Sequence, residues 1–149
     1  MLVFREADVR DIPALCALEE ECFSSPWSER AFLESFDSGS ASFFVCESDG
    51  VTAGYAGCVR VLDECSITNV AVTSACRRQG VARGLLDMLE SEMYSLGVRY
   101  VYLEVRVSNA AAISAYESRG YLCEGVRRHF YSMPVEDAYV YKKELHKTN

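Results

Sequence analysis

No stretch of the 149 residues is apolar for anything near the about 18 residues that a helical membrane span requires. The opening "MLVFREADVRD" carries no cleavable signal pattern, so a cytoplasmic protein is expected. Histidine is scarce, with only His129 and His146, and no two cysteines stand as C-x-x-C. No zinc-ligand spacing can be assembled from them, so no metal is expected. Positive charge is in deficit: 15 Lys and Arg face 22 Asp and Glu, a formal net charge of −7. That balance argues against nucleic acid and against an anionic membrane surface, and favours a basic partner. Repeats, linkers and low-complexity tracts are missing too, so residues 1–149 are expected to form one domain.

What is present reads as a globular chain. Half of it is hydrophobic and a quarter charged, and a domain of this size buries roughly 70% of its unfolded surface. Cysteine is plentiful but odd in number: Cys16, Cys22, Cys46, Cys58, Cys65, Cys76 and Cys123. Most lie inside apolar segments, so buried, reduced thiols are expected.

The pattern along the chain alternates between strand and helix periods. "LVFREA" reads as a strand, and Ile12, Leu15, Leu18 and Cys22 fall at helical spacing over residues 8–22. "SSPWSERAFLESF" opens a second helix with Ser28 as cap and Trp27 just before it. "SFFVCES", "VTAGYAGCVRVL" and "CSITNVAV" read as three strands, the first turn at Asp49-Gly50. Val81, Leu85, Met88, Leu89, Met93 and Leu96 mark an amphipathic helix over residues 80–96, closed by Gly97. "RYVYLEVRV" is a strand, and "NAAAISAYESRG" a short helix capped by Asn109 and stopped by Gly120. "YLCEGVRRHFY" and "DAYVYKKEL" supply two closing strands. The order defines a mixed α/β fold. Residues 67–72 and 100–105 are expected to be central, parallel and divergent, since the intervening helix provides the crossover that parallel pairing needs.

Two places could carry chemistry. In "NVAVTSACRRQGVARGLL" a strand ends, a loop follows and a helix opens near Gly80, beside Arg77, Arg78 and Arg83. A helix N-terminus has free N–H groups and partial positive charge, so this loop suits a phosphate, although it also suits an ordinary solvated turn. It is neither a Walker loop nor a dinucleotide fingerprint. In "YVYLEVRV", Val101, Leu103 and Val105 face one way, Tyr102, Glu104 and Arg106 the other. A mid-strand glutamate is unusual. It reads either as a salt-bridge partner, of Arg106 or another cation, or as a general base in a partly buried site. Tyr116, taken alone, reads as a core aromatic beside the thin surface of Ala110, Ala111 and Ala112.

The succession "NVAV", "RRQGVA" and "LEVRVSNAAAISAYESRGY" resembles the GNAT acetyltransferase superfamily, and more narrowly the bacterial ribosomal-protein-alanine N-acetyltransferases (RimI type). The resemblance extends to "SPWSERAF", "LDE" and the "RRHFY" region. It implies a GNAT fold with splayed central strands and acetyl-CoA as co-substrate. It implies that Val70, Ala71 and Val72 offer backbone groups to the pantetheine arm. Arg78, Gln79, Gly80, Val81, Ala82 and Arg83 would cradle the pyrophosphate, and Asn109 would touch the cofactor. Glu104 would be the base, Tyr116 the acid, and Tyr131 and Trp27 would face the acceptor. That acceptor would be a basic protein N-terminus, the alanine of a small-subunit ribosomal protein. Two features depart from the family: Phe130-Tyr131-Ser132, with the proline delayed to Pro134, replaces paired tyrosines followed by proline, and "CSITNVAV" is unusually polar at Ser66 and Thr68. The cofactor motifs equally permit a small free amine or an internal lysine as acceptor, or an acyl-CoA sensor. The co-occurrence of Glu104 and Tyr116 favours catalysis over sensing.

Overall fold

Pro13 decides how the first helix begins. With no N–H it cannot donate to the carbonyl four residues back, so the helix expected from residue 8 is divided. A 3-10 turn, Val9–Asp11, is capped by Asp8, and α1 (Ile12–Cys22) follows with the proline in its first turn. The computed structural model describes residues 1–147. Its other elements are β1 (Leu2–Glu6), α2 (Glu29–Asp37), β2 (Ala41–Ser48), β3 (Val51–Val61), β4 (Glu64–Val72), α3 (Val81–Ser95), β5 (Tyr100–Arg106), α4 (Ala110–Ser118), β6 (Leu122–Tyr131) and β7 (Glu136–Glu144). Ser28 caps α2 through Ala31 N–H at 3.1 Å, and Asn109 caps α4 through Ala112 N–H at 3.2 Å. Caps of this kind contribute about 1 kcal/mol each.

All seven strands form one sheet in the order β1-β2-β3-β4-β5-β7-β6. Every neighbouring pair is antiparallel except β4 and β5, which run parallel. Their pairing stops early: Glu64, Cys65 and Ser66 meet Tyr100, Val101 and Tyr102, and beyond them the two strands separate. Each keeps its outer neighbour, so the separation opens a gap through an otherwise continuous sheet.

The two faces of the sheet bury different cores. One, under α3 and α4, gathers Cys65, Ile67, Leu85, Leu89, Met93, Val101, Leu103 and Tyr121, with Val70 and Tyr116 packed against it. The other, under α1 and α2, gathers Leu15, Leu18, Phe32, Phe43, Tyr55 and Ala71, with Trp27 at its margin. A β-bulge lets β4 serve both. Gly57 pairs with Asn69 and Cys58 with Ile67, leaving Thr68 as the extra residue. Alternation is reset there: Cys65 and Ile67 pack on the α3 side, then Asn69 and Ala71 on the α1 side. The polar Ser66 and Thr68 are both exposed.

The expectation of buried, reduced thiols needs correction in part. Cys46, Cys58 and Cys65 are buried, Cys16, Cys22 and Cys76 half-buried, and Cys123 exposed, all as free thiols. Cys123 lies on β6, an edge strand without a helix over it, so its apolar neighbours do not imply burial.

Candidate active site

The gap between β4 and β5 brings three of the singled-out regions together. At its β4 side lie Val70, Ala71 and Val72, without a β5 partner. The chain then turns through Ser74–Cys76 into a loop where Arg78 takes a positive φ of 63° and Gly80 one of 86°. Gly80 is the N-cap of α3 and supplies no capping side chain, so the N–H groups of the first turn face outward without a side-chain acceptor. Val72, Arg78, Gly80, Val81, Ala82 and Arg83 line a cavity of about 190 Å³ here, together with Cys76 and Arg77. Arg78 and Arg83 form no ion pair among the described residues, whereas Arg77 folds back onto the Val72 carbonyl at 3.3 Å. Gln79 donates to the Ala75 carbonyl at 3.3 Å and tightens the loop rather than lining the cavity. The result is a concave, cationic helix N-terminus, suited to a phosphate.

Glu104 and Tyr116 approach from opposite faces. On β5, Val101, Leu103 and Val105 enter the α3-side core, which directs Glu104 to the other face. Its carboxylate is about a quarter exposed and accepts from Arg127 Nη1 at 2.9 Å through Oε1. The cation is therefore Arg127 of β6; Arg106 pairs instead with Glu136 at 3.1 Å. Oε2 of Glu104 has no hydrogen-bond partner among the described residues. Tyr116 projects from α4 against the α3-side core, its ring edge-on to Tyr121 at 5.6 Å. Its hydroxyl makes no hydrogen bond among the described residues. Burial, with a smaller contribution from Tyr131, pushes the Tyr116 phenol up to about 12.

Tyr131 is electrostatically linked to both: burial raises its phenol first and the Glu104 charge second, and Tyr131 in turn contributes to the raised Tyr116 phenol. The Arg106 guanidinium lies 4.4 Å from its ring centroid. Asn109, exposed at the N-terminus of α4, spends its side-chain oxygen on the helix cap. Trp27 packs at the margin of the α1-side core, tilted against Phe32 at 5.2 Å and edge-on to Phe43 at 6.3 Å.

Several participants escaped sequence reading. Arg127 is one of two adjacent arginines in β6 and nothing local distinguishes it. Glu19, 1% exposed, could have been found, since it stands four residues after Leu15 on the apolar stripe of α1. Among the described residues no group of three or more His, Cys, Asp or Glu side chains could hold a metal, and no helix is long and apolar enough to cross a membrane.

A sheet split between two parallel strands, with an anion-binding helix start beside the split, defines the acyl-CoA N-acyltransferase class. The chain belongs to the acetyltransferase (GNAT) family, which it matches over residues 12–121, and its enzyme class is the acetyl-CoA-dependent N-acetyltransferases. It is 38% identical over 124 residues to the ribosomal protein bS18-alanine N-acetyltransferase of Escherichia coli, covering 83% of each chain. The enzyme of the same name from Haemophilus ducreyi is 32% identical over 125 residues, with 84% of this chain and 86% of that one covered. The crystal structure of the ribosomal-protein-S18-alanine N-acetyltransferase from Escherichia coli superposes with a TM-score of 0.91 at 34% identity, covering 100% of this chain and 97% of that one. Arabidopsis thaliana NAA60, solved in complex with acetyl-CoA, shares the fold with a TM-score of 0.88 at 19% identity, over 97% and 99% of the two chains.

Proposed function

We propose that the protein transfers the acetyl group of acetyl-CoA to the N-terminal α-amine of a protein, and that the acceptor is the N-terminal alanine of a small-subunit ribosomal protein. The observation that carries this reading is the parting of β4 from β5 beyond Ser66 and Tyr102, with Glu104 directed to one face of the sheet and Tyr116, like Val70, packed against the core of the other. Acetyl-CoA supplies a thioester-activated acetyl group there. Val70, Ala71 and Val72 would offer backbone groups to its arm, and the loop from Arg78 through Gln79, Gly80, Val81 and Ala82 to Arg83 would hold its pyrophosphate. Asn109 would lie alongside.

Glu104 would take the proton that the amine sheds as its nitrogen bonds to the acetyl carbon. The carboxylate is suited to this, because Arg127 anchors one oxygen and leaves the other open. Tyr116 would donate to the sulfur as the carbon–sulfur bond breaks. A phenol held at about 12 keeps its proton throughout the physiological range, and the sulfur becomes its acceptor only as negative charge develops there. Tyr131 and Trp27 would border the acceptor. The net charge of −7 suits a basic peptide, and the activity named for both the Escherichia coli and Haemophilus ducreyi relatives supports alanine as its first residue.

Peptides of one basic sequence, differing only in their first residue, test this. Alanine is expected to be turned over best, with serine next and bulky residues poorly used. Equal rates for every first residue, or turnover of free small amines alone, would contradict the proposed acceptor.

A further inference from the structure

Beneath the α1 face lies a buried polar cluster that none of these roles employs. Glu19 is 1% exposed, yet no cation pairs with it among the described residues. Its carboxylate is satisfied by three neutral donors from three different segments. The backbone N–H of Trp27 donates to Oε1 at 2.9 Å, Tyr55 O–H to Oε2 at 2.5 Å, and Asn69 Nδ2 to Oε2 at 3.3 Å. A buried carboxylate is costly unless such bonds are complete, so its presence in a core otherwise built of Leu15, Leu18, Phe32 and Phe43 calls for a reason.

The three partners supply one. Trp27 lies in the connector between α1 and α2. Tyr55 belongs to β3. Asn69 belongs to β4 just where it has left β5 and just after the Thr68 bulge turns it toward α1. Asn69 is itself buried, and its Oδ1 has no hydrogen-bond partner among the described residues. Among the described residues its one side-chain anchor is therefore Glu19, and that anchor fixes the amide with nitrogen toward the carboxylate. One side chain thus sets both the connector and the exposed edge of β4, on the face to which Glu104 points.

We propose that Glu19 is a positioning residue for the acceptor substrate: through Trp27 and Asn69 it holds the acceptor-side wall of the gap in register with the strand that carries acetyl-CoA. This rests on the N-acetyltransferase reading given above. It separates the two substrates, because none of the hydrogen bonds of Glu19 among the described residues goes to the loop that would hold the pyrophosphate. Altering Glu19 should disturb the acceptor and spare acetyl-CoA.

Trp27 is the single tryptophan, so its emission reports the connector directly, whatever the acceptor. In Glu19→Ala the Trp27 N–H loses its acceptor. Emission is expected to shift to the red and acrylamide quenching to rise. KM for the alanine peptide should increase about tenfold or more while the acetyl-CoA Kd stays within about twofold. Glu19→Gln retains an oxygen for the Trp27 backbone N–H, Tyr55 can turn its hydroxyl to accept from the new amide, and Asn69 can flip its own amide to present Oδ1 to it. It is expected to restore the Trp27 signal and most of the peptide KM. Should Glu19→Ala fail to fold, Glu19→Asp, one methylene too short to reach both partners, takes its place with the same readouts. Unchanged Trp27 emission in a folded variant would overturn the proposal, as would peptide KM and acetyl-CoA Kd rising together. A wild-type protein idle on the alanine peptide would refute the acceptor reading alone. Emission, acetyl-CoA affinity and KM for whichever primary amine is turned over would then still decide the role of Glu19.

Discussion

Glu104 and Tyr116 illustrate how differently two single residues can be read. The glutamate looked odd in the sequence itself, because its strand position is disfavoured for a charge. The structure shows it ion-paired, with one oxygen still open, so pairing and base catalysis are compatible. Glu104→Gln keeps the shape and removes the base, and a fall of roughly 10²–10⁴-fold in kcat is expected in steady-state assays. Tyr116 was legible only through the motif around it, since an isolated tyrosine on an alanine-rich helix is usually core. Tyr116→Phe is expected to lower kcat and leave acetyl-CoA affinity nearly unchanged, because the lost bond matters in the transition state. Its phenol at about 12 also makes a statement about pH. Wild-type kcat/KM should keep its alkaline plateau past about pH 10, the ordinary tyrosine value. A descending limb centred there and abolished in Tyr116→Phe would contradict the half-buried, proton-holding role. The Arg127 partner and the Glu19 cluster were not legible in the same way, because both depend on which strands become neighbours.

Most elements followed from periodicity and caps. The helix over residues 80–96 and the strand of "YVYLEVRV" were clear because long apolar stripes and strict alternation leave little choice. Two features did not follow. The division of the first helix depends on a backbone donor that Pro13 lacks. The bulge at Thr68 inserts one residue and so reverses the facing of β4, which no simple alternation can report. Beside that strand, Gly54 marks a close approach. A Cβ there would lie 2.8 Å from the Ala71 carbonyl and 2.8 Å from Val81 Cγ1. One neighbour is backbone and the other the first residue of α3, so neither yields easily. Gly54→Ala is expected to destabilise the protein by about 1–3 kcal/mol in denaturant unfolding. It should also weaken acetyl-CoA binding, because Ala71 and Val81 both border its expected site. Full wild-type stability would show that β3, β4 and α3 are less tightly joined than this packing requires.

The whole molecule is acidic, and several of its carboxyls are tied down by folding. Arg5 holds Asp11 below the usual carboxylate range, Ser74 does so for Glu21, and Ser108 with Arg106 for Glu136. Asp8, hydrogen-bonded by Arg10, falls to about 2. Each has a lower value folded than unfolded, so each favours folding once ionised, above about pH 4, and that contribution disappears as pH falls through the folded values. The melting temperature should be level above about pH 5 and drop between about pH 4 and 2, less steeply in Asp11→Asn. Equal slopes in the two proteins would remove Asp11 from the account. The same negative surface suits a basic acceptor, yet charge alone does not choose between an α-amine and a lysine. Acidity does: with pKa values of about 7.8 and 10.4, deprotonation at pH 7 costs roughly 1 kcal/mol for the α-amine and nearly 5 for lysine. One carboxylate can meet the smaller demand. The most direct measurement is CoA release with two otherwise identical basic peptides, one with a free N-terminal alanine and the other blocked there but carrying a lysine. Turnover of the first, with little from the second, is the predicted result. Preferential turnover of the blocked lysine peptide would contradict N-terminal acetylation and make the enzyme a lysine acetyltransferase.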